Sequence, residues 1–293
     1  MTSSPFKGVG TALITPFTAE GAVDYPSLEK LMEFQWENGV DFLVPLGTTG
    51  EVATLTGEEQ SRIAALALQK AKGKGPVLMG CGGNNTREVI EKGLHLKSLG
   101  ATHILSVSPY YNRPTQEGIT QHFKAIRQQT GLEIMLYSIQ ARTGSNVEPA
   151  TVARLAEEGI IFGIKEASGS ILQIQKIVQS TPAGFQVFSG DDPITLPLMA
   201  VGGAGVIAVT SNVVPAAMSR WLKTLLAGDF KGGRGQLDRL LPLFEALGAE
   251  VNPIPVKGAA SLLGLAQLHY RLPLVPPAPA TMERLKTALA AFS

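Results

Sequence analysis

A chain of 293 residues, 44% apolar and 17% charged, can bury a large core and is too apolar to be a disordered chain. A formal net charge of +1 excludes a protein that grips nucleic acid by neutralising phosphates, and no run of like charges marks a membrane-surface patch. The single Cys81 rules out an internal disulfide. Met1-Thr2-Ser3-Ser4-Pro5 lacks the apolar core of a signal peptide, and the uncharged stretch 193–219 is interrupted by Pro197, Gly202-Gly203, Gly205 and Pro215. The expectation is a cytoplasmic protein without a membrane span.

Short β-rich runs alternate with amphipathic helical stretches as far as about residue 227. Strands are expected at 8–14, 41–46, 77–81, 102–107, 134–137, 160–165, 186–189 and 206–209, with helices such as 25–37, 58–71, 87–99 and 116–129 between them. Thr56 ahead of Glu58-Glu59 and Asn85-Thr86 ahead of Arg87-Glu88 signal helix starts. Eight strand–helix units predict an α/β fold, a (β/α)₈ TIM barrel, over a doubly wound open sheet. Beyond residue 227 the strand rhythm stops: 230–265 and 280–292 read as helical around the proline-rich Leu272-Pro273-Leu274-Val275-Pro276-Pro277. This predicts a catalytic barrel over 1–227 and a C-terminal helical extension over 228–293 packed on it.

In such a barrel the chemistry lies at the carboxyl ends of the strands. Lys165 closes the apolar run Ile160-Ile161-Phe162-Gly163-Ile164; it is either a strand-end lysine whose head reaches water or a lysine whose pKa desolvation lowers, freeing an amine that attacks carbonyl carbon. Gly47-Thr48-Thr49-Gly50-Glu51 offers backbone N–H groups and hydroxyls to an anion, without the lysine of a P-loop. Tyr137 ends the fifth strand, where it can move a proton, and Arg142 in the loop after it can clamp a carboxylate. The four histidines show no metal-ligand spacing, so neither a catalytic metal nor a cofactor is expected. In Ser189-Gly190-Asp191-Asp192-Pro193, Asp191 or Asp192 is expected to cap the next helix.

Taken together, these segments resemble the dihydrodipicolinate synthase family, of the pyruvate-dependent class I aldolases of N-acetylneuraminate lyase type. The resemblance runs through Ala12-Leu13-Ile14-Thr15-Pro16-Phe17, Gly47-Thr48-Thr49-Gly50-Glu51, Pro109-Tyr110-Tyr111-Asn112-Arg113-Pro114, Gly163-Ile164-Lys165-Glu166-Ala167-Ser168-Gly169, Ser189-Gly190-Asp191-Asp192, Gly202-Gly203-Ala204-Gly205-Val206-Ile207 and Asn252-Pro253-Ile254-Pro255-Val256-Lys257. It implies a Schiff base between Lys165 and pyruvate, with Tyr137 as proton donor and acceptor. Thr48 and Tyr111 would complete a relay, Tyr111 crossing from a neighbouring subunit of a homotetramer, a dimer of dimers. Thr49 and main chain near Ile207 would hold the pyruvate carboxylate. Arg142, with Gly190 nearby, would receive that of L-aspartate-4-semialdehyde, in the diaminopimelate route to lysine. A sister lyase or dehydratase acting on a sugar acid or another aldehyde is the alternative, and a catalytically silent barrel is a more distant one. This chain departs from the family in having Ser138-Ile139-Gln140 where a proline is usual. It also has Val52 and Gly57 where the family's lysine-inhibition site often carries serine and histidine, although Asn84, Glu88 and Tyr110 match. Weak or absent inhibition by lysine is expected.

Overall fold

Eight parallel strands make one hydrogen-bonded sheet: β1 (Gly8–Ala12), β2 (Phe42–Val44), β3 (Met79–Gly80), β4 (His103–Val107), β5 (Glu133–Ser138), β6 (Gly163–Glu166), β7 (Gln186–Ser189) and β8 (Gly205–Ala208). Their order in the sheet is β2-β1-β8-β7-β6-β5-β4-β3. Helices alternate with them: α1 (Tyr25–Glu37), α2 (Gly57–Ala71), α3 (Thr86–Ser98), α4 (Gln116–Thr130), α5 (Gln140–Thr143), α6 (Pro149–Glu157), α7 (Ile171–Ser180), α8 (Thr195–Ala200) and α9 (Pro215–Leu226). Three more, α10 (Phe230–Leu247), α11 (Ile254–Leu262) and α12 (Pro279–Leu289), form the C-terminal helical part. This is the (β/α)₈ TIM-barrel fold. The computed structural model describes residues 5–292, so residues 1–4, within the segment read above for a signal peptide, lie outside the described residues. Among the described residues no helix is long and apolar enough to cross a membrane.

The chain divides into two compact units. The first comprises residues 5–7 with Val77–Ile207 and is built on β3 to β7 and most of β8. Its strands read as near-continuous apolar runs because both faces are covered: Ile104, Ile134, Met135, Leu136 and Ile164 are buried. Phe6 stacks on Phe162 at 5.6 Å, with the His103 ring edge-on at 5.0 Å from Phe6.

The second unit, Gly8–Pro76 with residues 208–292, carries β1, β2 and the C-terminal helices. The Asn212 side chain continues the ladder beyond β1, accepting from Ile14 N at 3.0 Å and donating to Ala12 O at 2.8 Å. The expected strand 8–14 therefore ends at Ala12. Trp221 of α9 is wholly buried, donates to Gly233 O at 2.9 Å and packs beside Phe244, which fastens α10 to α9. Thr56 and Glu59 form a reciprocal capping box on α2, a device contributing on the order of 1 kcal/mol.

The sequence patterns place most elements within two or three residues. Two departures have local causes. Ile160 N and Ile161 N both bond back to Leu155 O at the end of α6, so β6 starts only at Gly163. The helical stretch expected over 230–265 breaks between Leu247 and Ile254: α10 ends with Gly248 as its C-cap, and Pro255 lies in the first turn of α11, where its missing N–H costs no helical bond.

Candidate active site

Lys165 and Tyr137 are register partners on β6 and β5, so their side chains leave the sheet side by side on one face. The Lys165 Nζ stands 4.4 Å from the Tyr137 ring centroid. Lys165 is only 6% exposed. Desolvation brings its pKa down from 10.5 to about 8; the Asp192 charge opposes the shift and Arg142 reinforces it. The amine thus spends a useful share of its time neutral near physiological pH. Tyr137 is buried as well, and burial raises its pKa to about 12, with Arg142 opposing and Asp191 adding. The phenol is therefore protonated near neutral pH and has a hydrogen to donate.

Gly190 makes room for the lysine. A Cβ at this position would lie 2.8 Å from Ala167 Cβ and 3.1 Å from both Cγ and Cε of Lys165, so any side chain would push the lysine stem aside. Gly190 N donates to Glu166 O at 2.8 Å, which holds the β7 end against the β6 end.

The expectation that Asp191 or Asp192 caps a helix is corrected here. The turn Asp192–Ile194 and α8 both start without a side-chain cap. Asp192 is instead buried and acts on Lys165 as a charge. Pro193, one residue on, has no N–H for a capping carboxylate to meet.

Arg142, expected in a loop, sits on the single-turn helix α5, which Gly144 ends in the left-handed conformation. It is exposed, yet close enough to influence both Lys165 and Tyr137. Tyr111 reaches the same neighbourhood through its backbone, donating to Thr143 O at 3.4 Å. Its ring is 90% exposed, on a backbone with φ of 70°. Ile207 is wholly buried in β8. The first unit thus brings Lys165, Tyr137, Gly190 and Arg142 together, and leaves the Tyr111 ring in solvent.

Thr48 and Thr49 belong to the second unit, in a one-turn 3₁₀ helix (Thr48–Gly50) after β2. Thr48 is exposed and Thr49 buried. Thr49 Oγ1 accepts from Asn252 Nδ2 at 2.9 Å. Glu51, in the left-handed region at φ 53°, turns its carboxylate into the interior, where Lys257 Nζ meets it at 2.5 Å. Both partners are buried, and Lys257 also lies over the Phe17 ring (4.1 Å) and the Tyr270 ring (4.7 Å). The roles of Asn252, Glu51 and Lys257 were not anticipated. No local pattern marks these partners, which lie about two hundred residues apart in the chain. Among the described residues no group of three or more His, Cys, Asp or Glu side chains converges as metal ligands would.

Comparison with known proteins gives a consistent set of matches. The model of the dihydrodipicolinate synthetase family matches residues 5–292. Among curated relatives, a 4-hydroxy-tetrahydrodipicolinate synthase of Nitratidesulfovibrio vulgaris is 45% identical over 98% of both chains. One of Syntrophus aciditrophicus is 46% identical over 97% of both. The crystal structure of dihydrodipicolinate synthase from Thermotoga maritima superposes with a TM-score of 0.96 at 43% identity, covering 98% of each chain.

Proposed function

We propose, for a chain that belongs to the dihydrodipicolinate synthetase family, a pyruvate condensation that starts with imine formation at Lys165. The function is that of a lyase of the Schiff-base aldolase type, a 4-hydroxy-tetrahydrodipicolinate synthase. It joins pyruvate to L-aspartate-4-semialdehyde on the diaminopimelate route to lysine.

One observation carries the mechanism. Lys165 is buried, its pKa is brought down to about 8, and a protonated tyrosine lies against it. In this reading the neutral amine adds to the carbonyl carbon of pyruvate. The resulting carbinolamine loses its hydroxyl as water, with the Tyr137 phenol supplying the proton. The imine then draws electrons from the methyl carbon, which sheds a proton and becomes an enamine. That carbon attacks the aldehyde. The second substrate's amine closes on the imine carbon and releases Lys165.

Thr49 would donate to the pyruvate carboxylate, assisted by main chain near Ile207, and Thr48 and Tyr111 would pass the tyrosine's proton onward. Arg142, beside Gly190, would take the aldehyde substrate's carboxylate with its planar fork. We assign the Tyr111 ring to a neighbouring copy's relay in a homotetramer, a role that its 90% exposure leaves it free to take. We place the reaction in the cytoplasm.

Borohydride reduction in the presence of pyruvate, followed by peptide mass mapping, tests the mechanism. A single adduct on Lys165 is expected; an adduct elsewhere, or none, removes it. Turnover with a panel of aldehydes, with and without a carboxylate, separates this reading from a sugar-acid lyase.

A further inference from the structure

On the face of β6 opposite Lys165, Glu166 points away from the amine and is 1% exposed. A buried carboxylate is costly unless its lone pairs are met. Ser168 N reaches both oxygens at 3.2 Å, and Gln173 Nε2 of α7 donates to Oε1 at 2.8 Å. The same Gln173 amide exchanges hydrogen bonds with Asn146, whose Nδ2 donates to Oε1 at 2.8 Å while Gln173 Nε2 donates to Asn146 Oδ1 at 3.1 Å. Both amide hydrogens and the carbonyl of Gln173 are thereby engaged, which leaves the side chain a single orientation.

Asn146 ends the segment that carries Arg142. A four-residue helix such as α5 has no stability of its own, and 138–140 contains no proline to stiffen the approach to it. The segment is tied down from outside. Ser145 Oγ donates to Pro109 O at 3.2 Å, Gln116 Nε2 donates to Asn146 O at 2.8 Å, and Val147 N donates to Ser138 Oγ at 3.4 Å. Of these ties, the Asn146–Gln173 pair reaches Glu166, on the strand of the reactive lysine, through side chains alone.

We propose that Gln173 and Asn146 are positioning residues for the second substrate: with Glu166 as their anchor, they hold α5 at the height where Arg142 meets a carboxylate. This rests on the reading of Arg142 given under Proposed function. The frame sets the distance between the enamine and the aldehyde's anchoring point without touching either substrate.

The test separates the two substrates. Gln173→Met keeps the reach of the side chain and removes its amide. It should raise KM for L-aspartate-4-semialdehyde about tenfold, while KM for pyruvate and borohydride trapping at Lys165 stay within about twofold of the parent. Trapping also reports that the variant is folded. Asn146→Ala attacks the pair from its other side and should give the same split. The double variant Asn146→Asp/Gln173→Arg rebuilds a donor between two carboxylates and should restore the aldehyde KM. On an Arg142→Ala background Gln173→Met should add less than about twofold, because its effect passes through the arginine. Additive effects, or parallel loss of pyruvate trapping, overturn the proposal. An Arg142→Ala variant with unchanged aldehyde KM would overturn it too, and would place the failure in the role given to Arg142.

Discussion

Lys165 at the end of β6 and Lys257 within α11 are buried to nearly the same degree, 6% and 0% exposed, and each lies against an aromatic ring. Burial pushes both pKa values down. They differ in what stands within hydrogen-bond reach. Glu51 meets Lys257 at 2.5 Å and opposes its shift. Lys165 makes no ion pair among the described residues, and Asp192 acts on it only as a neighbouring charge. Placing a lysine in a low-dielectric interior thus leads to two outcomes. With a carboxylate in contact the lysine becomes a brace, and without one it becomes an amine ready to react.

The most severe way to break this contrast is to remove each lysine. Lys165→Met should abolish the pyruvate adduct and lower turnover at least about a thousandfold, with the unfolding midpoint little changed. Turnover within tenfold of the parent would end the distinction. Lys257→Met should do the opposite kind of damage. It strands the Glu51 carboxylate in the interior and should cost about 3–5 kcal/mol of stability in urea unfolding, most of it recovered in Lys257→Met/Glu51→Leu.

The pH dependence gives a finer probe. Below about 8 the neutral fraction of Lys165 falls tenfold per unit, so the rate of pyruvate trapping should climb with pH and level off near 8. A rise that continued towards 10 would mean that Lys165 is held charged as a paired lysine is. The same shift has a sign for stability. Between about 8 and the ordinary 10.5 the unfolded chain binds a proton that the folded one lacks, so this group makes folding more favourable as pH rises through that window. The smallest effect concerns the Glu51 turn. With Val52 and Gly57 where a lysine site would want polar groups, submillimolar lysine should change the initial rate by less than about twofold. A Cβ at Gly57 meets open space, so Gly57→His can be built without strain to ask whether sensitivity then appears.

What could be foreseen followed from period and punctuation. The eight strands announced themselves as short apolar runs, and helix starts such as Thr56 and Asn85 carried their caps in plain view. Lys165 and Tyr137 were legible because each is a polar residue ending an apolar run, and a parallel sheet gathers such ends. The contacts that were missed join residues far apart in the chain. Nothing local to Thr49 indicates that Asn252 donates to it, and nothing near Glu51 indicates that Lys257 lies opposite. Asp192 was misjudged for a related reason. An aspartate before a proline looks like a cap until the fold shows which charge it faces.

The hydrogen bond from Asn252 to Thr49 has a further consequence. A threonine hydroxyl free in solution is ambidextrous, offering a hydrogen or a lone pair as its visitor requires. Here the Asn252 amide occupies a lone pair of Oγ1, and the hydroxyl donates to no described residue. What remains for a visitor is the hydrogen and one lone pair. The amide narrows the directions open to that hydrogen, because one lone pair of Oγ1 must face Asn252. On the role proposed for Thr49, the amide of a distant residue would set the direction from which a pyruvate carboxylate meets the hydroxyl's hydrogen.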